Sequence, residues 1–231
     1  MGIKGFVPVS LVDYPGNICS TVFFGGCNFR CPFCHNAGLV LEAAATADES
    51  LEEVLAFILR RRQLVPAVCV TGGEPTLAPE LPAFLRRLKQ AGLKVKLDTN
   101  GTRPEALRTL LAERLLDYVA MDVKAPRAKY GLLAGRPVDL QAVRASIELI
   151  RSVAPAYEFR TTVVPGLLTA EDLLALGAEL AGSEKYVLQP FRPTHPLISP
   201  ELEATPPCAA SFLEEVAAKL REQIKVVEVR G

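Results

Sequence analysis

Cys27, Cys31 and Cys34 fall within eight residues of one another, in the stretch Gly25-Gly26-Cys27-Asn28-Phe29-Arg30-Cys31-Pro32-Phe33-Cys34-His35-Asn36. Thiolates are the ligands of iron–sulfur clusters, and a short loop wrapped around one cube delivers three of them with this CxxxCxxC spacing. Three protein ligands leave one iron open to a substrate or cofactor, whereas an electron-transfer cluster normally has every iron held by the protein. A Cys₃His zinc site is the competing reading, because His35 adjoins Cys34. Adjacent residues rarely chelate one tetrahedral ion together, and the usual zinc pattern repeats CxxC twice, so the cluster reading is preferred. Cys19, Cys69 and Cys208 stand singly; the first two lie in apolar runs and read as small core residues, and Cys208, beside Pro206-Pro207, reads as the start of the last helix.

Composition narrows the setting of this loop. With 231 residues, 49% of them hydrophobic and 23% charged, the chain is long enough for one substantial core, and with no linker-like break it reads as a single domain over residues 1–231. The 26 basic and 26 acidic residues cancel, which disfavours nucleic acid or an anionic membrane as partner. Arg60-Arg61-Arg62 closes a helical pattern, where positive charge complements the helix dipole. Apolar runs such as 18–24 are too short to span a bilayer and no signal-peptide pattern follows Met1, so the protein is expected in the cytoplasm. In that compartment cysteines serve metal or redox chemistry more often than disulfides.

The elements that must position the loop alternate from one end to the other. Residues 18–24, 67–71, 94–99, 118–124, 157–164 and 186–191 read as strands. Each is followed by a helical pattern, over residues 51–64, 81–91, 103–115, 140–153, 170–181 and 208–223 respectively, and residues 225–230 add a terminal strand. Six βα repeats imply a parallel sheet with right-handed crossovers, either an open doubly wound sheet or an incomplete βα barrel. In both, ligands collect at the carboxyl ends of the strands. The chemically unusual segments fall there: the cysteine loop after the first strand, Gly72-Gly73-Glu74-Pro75 after the second, Asp98-Thr99-Asn100-Gly101 after the third, and Asp122 and Lys124 at the end of the fourth. Gly72 and Gly73 are expected to let backbone approach a ligand, with the Glu74 carboxylate accepting hydrogen bonds from an ammonium. A plain turn at Gly72 to Pro75, a turn at Asp98 to Gly101, and a simple Asp122–Lys124 ion pair are the bland alternatives.

The pattern CNFRCPFCHN resembles the radical S-adenosylmethionine (SAM) superfamily, and within it the activating enzymes of glycyl radical enzymes. The resemblance extends over nearly the whole chain. Gly72-Gly73-Glu74-Pro75 resembles the family's GGEP segment, which binds the SAM amino group; Asp98 to Gly101 resembles its DTNG segment, and Asp122-Val123-Lys124 its DxK segment. Arg160 fits an arginine near SAM, and Asp13-Tyr14-Pro15-Gly16 is similar to the family's D-x-P-G segment. The resemblance implies an incomplete (β/α)6 barrel, a [4Fe-4S] cluster on Cys27, Cys31 and Cys34, and SAM held by Gly72, Gly73, Glu74, Asp98, Thr99, Asn100, Asp122, Lys124 and Arg160. It also implies a monovalent cation held by Asp98, Asp122, Thr99 and the Ala120 carbonyl. One departure stands out: where pyruvate formate-lyase activases carry a histidine in a Leu-Pro-Tyr-His stretch, this chain reads Gln189-Pro190-Phe191-Arg192. Arg192 is one replacement; His195, among prolines, is left outside the site.

The implied activity is reductive cleavage of SAM to methionine and a 5′-deoxyadenosyl radical, which abstracts a glycine hydrogen from a partner enzyme. The form of the sequence is most similar to activases of anaerobic ribonucleoside-triphosphate reductase, with flavodoxin or ferredoxin as electron donor. No second cysteine cluster of the ferredoxin type is present in the sequence. Two rivals remain: a radical SAM enzyme acting on a small molecule, such as a carboxy-deazaguanine synthase, and a non-catalytic iron–sulfur carrier, which would not need Gly72 to Glu74 or Asp98.

Overall fold

The computed structural model describes residues 2–43, 45, 47–193 and 196–231, so His195 lies outside the described residues. Its Cα packing falls into two compact units. The first comprises the chain up to Asn28, Gly38–Ala120 and Ala142–Ala156; the second comprises Phe29–Ala37, Met121–Gln141 and Tyr157–Gly231.

In the first unit, strands β1 (Ile3–Ser10), β2 (Cys19–Phe24), β3 (Ala67–Gly72) and β4 (Lys94–Thr99) lie side by side in chain order. The β2, β3 and β4 strands are parallel, as the βα repeats predict, while β1 runs antiparallel to β2. The sequence reading misses β1. Gly5 and Pro8 interrupt its β-pattern, and Val7 and Val9 point to solvent rather than to a core. Between the strands come α1 (Ala37–Leu41), α2 (Leu51–Arg61), α3 (Leu81–Gln90) and α4 (Pro104–Ala112). Ser50 caps α2 by accepting from the Glu53 N–H at 3.3 Å.

The period-two alternation of a strand gives this sheet two different faces. Val22, Val70 and Leu97 stand in register and, with Phe24, form an apolar face. The Phe24 and Phe84 rings meet edge to face at 6.1 Å, so this face lies against α3. Burying each such side chain contributes about 1.5–3 kcal/mol. The neighbouring positions form a second row in register, Thr21, Cys69 and Lys96. All three are buried and all three are polar or polarisable.

Strand β5 (Tyr118–Asp122) passes from the first unit into the second. The second unit continues with α5 (Tyr130–Ala134), while α6 (Leu140–Val153) begins there and carries most of its length in the first. Then follow β6 (Tyr157–Val163), α7 (Ala170–Glu179), β7 (Lys185–Pro190), α8 (Ala210–Leu220) and β8 (Val226–Val229). The β6, β7 and β8 strands pair in parallel and in order. The terminal strand is the one expected at residues 225–230, and it is fastened by Arg230, whose guanidinium makes two 2.9 Å bonds to the buried Glu158 carboxylate. Cys208 does not begin the last helix: α8 starts at Ala210, after Pro206-Pro207, and the Cys208 thiol donates to the Val163 carbonyl at 3.7 Å.

Candidate active site

The turn after β3 is built by backbone packing. Gly73 N–H donates to the Phe24 carbonyl and Glu74 N–H to the Gly26 carbonyl, both at 2.8 Å. Gly72 has φ +122°, and a Cβ there would lie 2.2 Å from the Phe24 carbonyl oxygen. A Cβ on Gly73 would lie 2.0 Å from the Gly26 oxygen. The approach of the Gly72–Glu74 turn to the strand end that leads into Cys27 therefore itself requires glycine at both positions.

Glu74 is 1% exposed, and its carboxylate accepts four hydrogen bonds. Oε1 receives the Thr76 N–H (3.1 Å), the Thr76 hydroxyl (2.5 Å) and the Thr99 hydroxyl (2.8 Å), and Oε2 receives the Asn100 N–H (2.6 Å). Burial raises the Glu74 pKa, opposed by these donors. The side chain thus ties the turn after β3 to the segment after β4. Asn100 continues the chain of contacts: its amide nitrogen lies 3.9 Å from Cys27 Sγ and 2.8 Å from Asn28 Oδ1. Asn28 in turn donates to Thr102 Oγ1 at 2.8 Å, and Thr102 donates back to Asn100 Oδ1 at 2.7 Å. Asn28 and Thr102 escape the sequence reading because no spacing rule links residues 74 positions apart. Asp98 pairs with the Lys96 ammonium, another residue the sequence reading passes over.

In the second unit, Cys31 is buried and Cys34 is half-buried, joined by a Cys34 N–H to Cys31 carbonyl turn of 3.0 Å. This half of the cysteine loop rests on α5: Arg30 N–H donates to the Ala134 carbonyl at 2.8 Å, and Gly135, at φ +66°, leaves no room for a Cβ beside the Arg30 carbonyl. The Phe29 and Tyr130 rings meet edge to face at 6.4 Å, and Ser199 N–H donates to the Pro32 carbonyl at 2.9 Å. None of these supports carries a sequence signal of its own.

Asp122 accepts from Arg160 Nε at 2.9 Å and from Lys124 Nζ at 3.1 Å. Burial alone would raise the Asp122 carboxyl, but the Arg160 and Lys124 cations prevail and hold it at about 2. Burial likewise works against the Lys124 ammonium, and the negative charges of Asp122 and Cys31 overcome it, holding the pKa above the ordinary lysine value. Lys124 also stands over the Phe33 ring, 5.9 Å from its centroid. The Asp122–Lys124 pair is thus present, within a triad that includes Arg160. Burial raises the Cys34 thiol pKa and lowers that of His35, whose ring lies 6.2 Å from Phe191.

Among the described residues no group of three His, Cys, Asp or Glu side chains converges as a metal site by proximity alone. The fit of a cluster therefore rests on the donor chemistry of one loop: three thiols, with an amide directed at Cys27 and a cation in electrostatic reach of Cys31. At Cys27 and Cys31 those surroundings suit thiolates, which need donors and positive charge nearby, while burial alone disfavours the thiolate at Cys34.

Residues 21–176 match the Radical SAM superfamily. A protein of Methanocaldococcus jannaschii, named provisionally as a glycyl-radical enzyme activating enzyme, is 33% identical over 198 residues, spanning 83% of this chain and 80% of its own. The 7-carboxy-7-deazaguanine synthase of Methanopyrus kandleri is 31% identical over 124 residues, 46% of this chain and 48% of its own. Among solved structures, Streptococcus suis SuiB superposes with a TM-score of 0.67 at 14% identity, over 91% of this chain and 50% of the SuiB chain, a likeness of fold alone. The chain belongs to the radical SAM superfamily, in its glycyl-radical-enzyme activating branch. Its fold is accordingly the α/β partial barrel of that superfamily, and membership implies a [4Fe-4S] cluster and SAM.

Proposed function

We propose that this protein is an activase that cleaves SAM reductively and takes a hydrogen atom from a glycine of a partner protein, anaerobic ribonucleoside-triphosphate reductase being the preferred partner. The observation that carries the activase reading is the likeness to the M. jannaschii protein across four-fifths of both chains. Cys27, Cys31 and Cys34 would hold the cluster, which supplies one electron to the SAM sulfonium, and reduced flavodoxin or ferredoxin would replenish it.

The chain's own residues divide the remaining work. Glu74 fixes the turn after β3 against Thr99 and Asn100, so that backbone at Gly72–Glu74 and Asp98–Asn100 is presented in one arrangement. Asn100 directs its amide to the Cys27 sulfur. In the second unit, Lys124 and Arg160 offer positive charge to the SAM carboxylate while Asp122 holds their orientation.

A second reading, a radical SAM enzyme acting on a small molecule in the manner of a carboxy-deazaguanine synthase, is favoured by the partial likeness to the M. kandleri synthase. The two separate in one experiment: anaerobically reconstituted protein is supplied with SAM and reduced flavodoxin, and 5′-deoxyadenosine is counted. Stimulation by the reductase supports the activase reading; stimulation by a small metabolite of the same cell, with none from the reductase, replaces it.

A further inference from the structure

Lys96 sits where a charged side chain is least expected. It is 1% exposed, in the middle of β4, between Val95 and Leu97 of the apolar face. A buried ammonium persists only when paired and hydrogen-bonded. Lys96 Nζ is bound to Asp98 Oδ1 and lies 3.5 Å from Cys69 Sγ, the residue beside it in register on β3. Burial, and then the Asp98 charge, raise the Cys69 pKa well above its ordinary value, so the sulfur is a neutral thiol that can accept from the ammonium. Asp13, whose carboxylate takes the Thr21 hydroxyl at 2.6 Å, completes the charged groups facing this pocket from the neighbouring elements.

The family resemblance assigns a monovalent cation to Asp98, with Thr99, Asp122 and the Ala120 carbonyl as fellow ligands. The residues present do not suit it. At Asp98 one carboxylate oxygen, Oδ1, is already bound by the Lys96 ammonium. The Thr99 side chain leaves the opposite face of β4 from that of Asp98, as successive strand residues do. Its hydroxyl is committed to Glu74 at 2.8 Å and accepts the Gly101 N–H at 3.1 Å. Asp122 has two cations of its own in Arg160 and Lys124.

We infer that Lys96 is a tethered replacement for the monovalent cation: its ammonium supplies the positive charge at Asp98, and this enzyme binds SAM without sodium or potassium. This inference rests on the SAM-binding reading above. Lys96 is a positioning residue in this account, holding the Asp98 carboxylate and the strand end that leads into Thr99 and Asn100. Because the ammonium is covalently attached, it cannot be exchanged or diluted away, whereas a free ion must be drawn from solution at each encounter.

Reconstituted protein is compared in N-methylglucamine chloride and in sodium or potassium chloride at equal ionic strength, which keeps general screening constant. SAM affinity by calorimetry and the thermal midpoint without SAM are read for the natural protein and for Lys96→Ala, which leaves space for an ion. The natural protein is expected to show the same affinity within about twofold in all three salts. Lys96→Ala is expected to bind SAM at least ~10-fold more weakly in N-methylglucamine, a tenfold change being about 1.4 kcal/mol. Sodium or potassium should restore both its affinity and its midpoint. A natural protein whose SAM affinity rises tenfold with sodium or potassium overturns the inference, as does Lys96→Ala that is unaffected or not rescued. If Lys96→Ala does not fold, elemental analysis of the natural protein with SAM after gel filtration decides: one equivalent of bound alkali ion overturns the inference and none supports it. SAM binding absent in every salt would instead fault the SAM-binding reading, and the midpoints would still judge Lys96.

Discussion

Removing the Glu74 carboxylate should damage the fold as well as the binding of SAM. Glu74→Ala takes the acceptor from two hydroxyls and two backbone N–H groups, those of Thr76 and Asn100. The hydroxyls can rotate to other acceptors, but the N–H groups are fixed by the backbone, and each buried donor left unpaired costs about 1–3 kcal/mol. Relief from burying the Glu74 charge returns part of that loss. A net destabilisation of about 2–4 kcal/mol is expected, with Glu74→Gln losing about 1–2 kcal/mol because its carbonyl still serves one N–H. Urea unfolding of the reconstituted protein measures this directly, through a lower midpoint at constant slope. Calorimetry on the same preparations should show SAM affinity falling in the same order, Ala below Gln below the natural protein. A Glu74→Ala protein with an unchanged urea midpoint but lost SAM affinity would refute the reasoning, and would make Glu74 a direct ligand of the SAM ammonium instead of a clamp between two loops.

Two further outcomes follow from the same geometry. Alanine at Cys27, Cys31 or Cys34 should abolish the cluster absorbance and SAM cleavage, whereas Cys19→Ala, Cys69→Ala and Cys208→Ala should keep the cluster; its loss from folded Cys208→Ala would contradict the ligand assignment. Gly73→Ala places a methyl 2.0 Å from the Gly26 carbonyl oxygen, so the turn must open; iron content after reconstitution should fall, and full incorporation would show that Cys27 does not depend on that contact.

The strand order, the helix partners and the carboxyl-end location of the motif segments are legible in the sequence because they depend on apolar periodicity and on Gly, Pro and Asx chemistry, which are local. What the sequence does not reveal is pairing over distance. Glu74 reads as a carboxylate waiting for a ligand, yet its four donors come from Thr76, Thr99 and Asn100. Gly72 and Gly73 read as glycines that permit a close approach, and the partners the fold brings to them, Phe24 and Gly26, come from another strand end. Lys96 is hidden because the alternation Lys94-Val95-Lys96-Leu97-Asp98 reads as a strand with one solvated, charged face, and only the pairing with β3 puts Lys96 in the interior beside Cys69 and on the same face as Asp98. The β1 strand is missed for the converse reason, since Pro8 and the outward-facing Val7 and Val9 erase the pattern that marks a buried strand.

The activase reading meets its most direct test in electron paramagnetic resonance. Reconstituted protein, SAM and reduced flavodoxin are incubated without oxygen with an anaerobic ribonucleotide reductase from the same cell, and the spectrum is recorded alongside the 5′-deoxyadenosine formed. The account predicts a glycine-centred doublet on the reductase, one spin per 5′-deoxyadenosine, collapsing to a singlet when the reductase is made with α-deuterated glycine. Deoxyadenosine formed with no such doublet from any glycyl radical enzyme of that cell, and accelerated by a small metabolite, would contradict it.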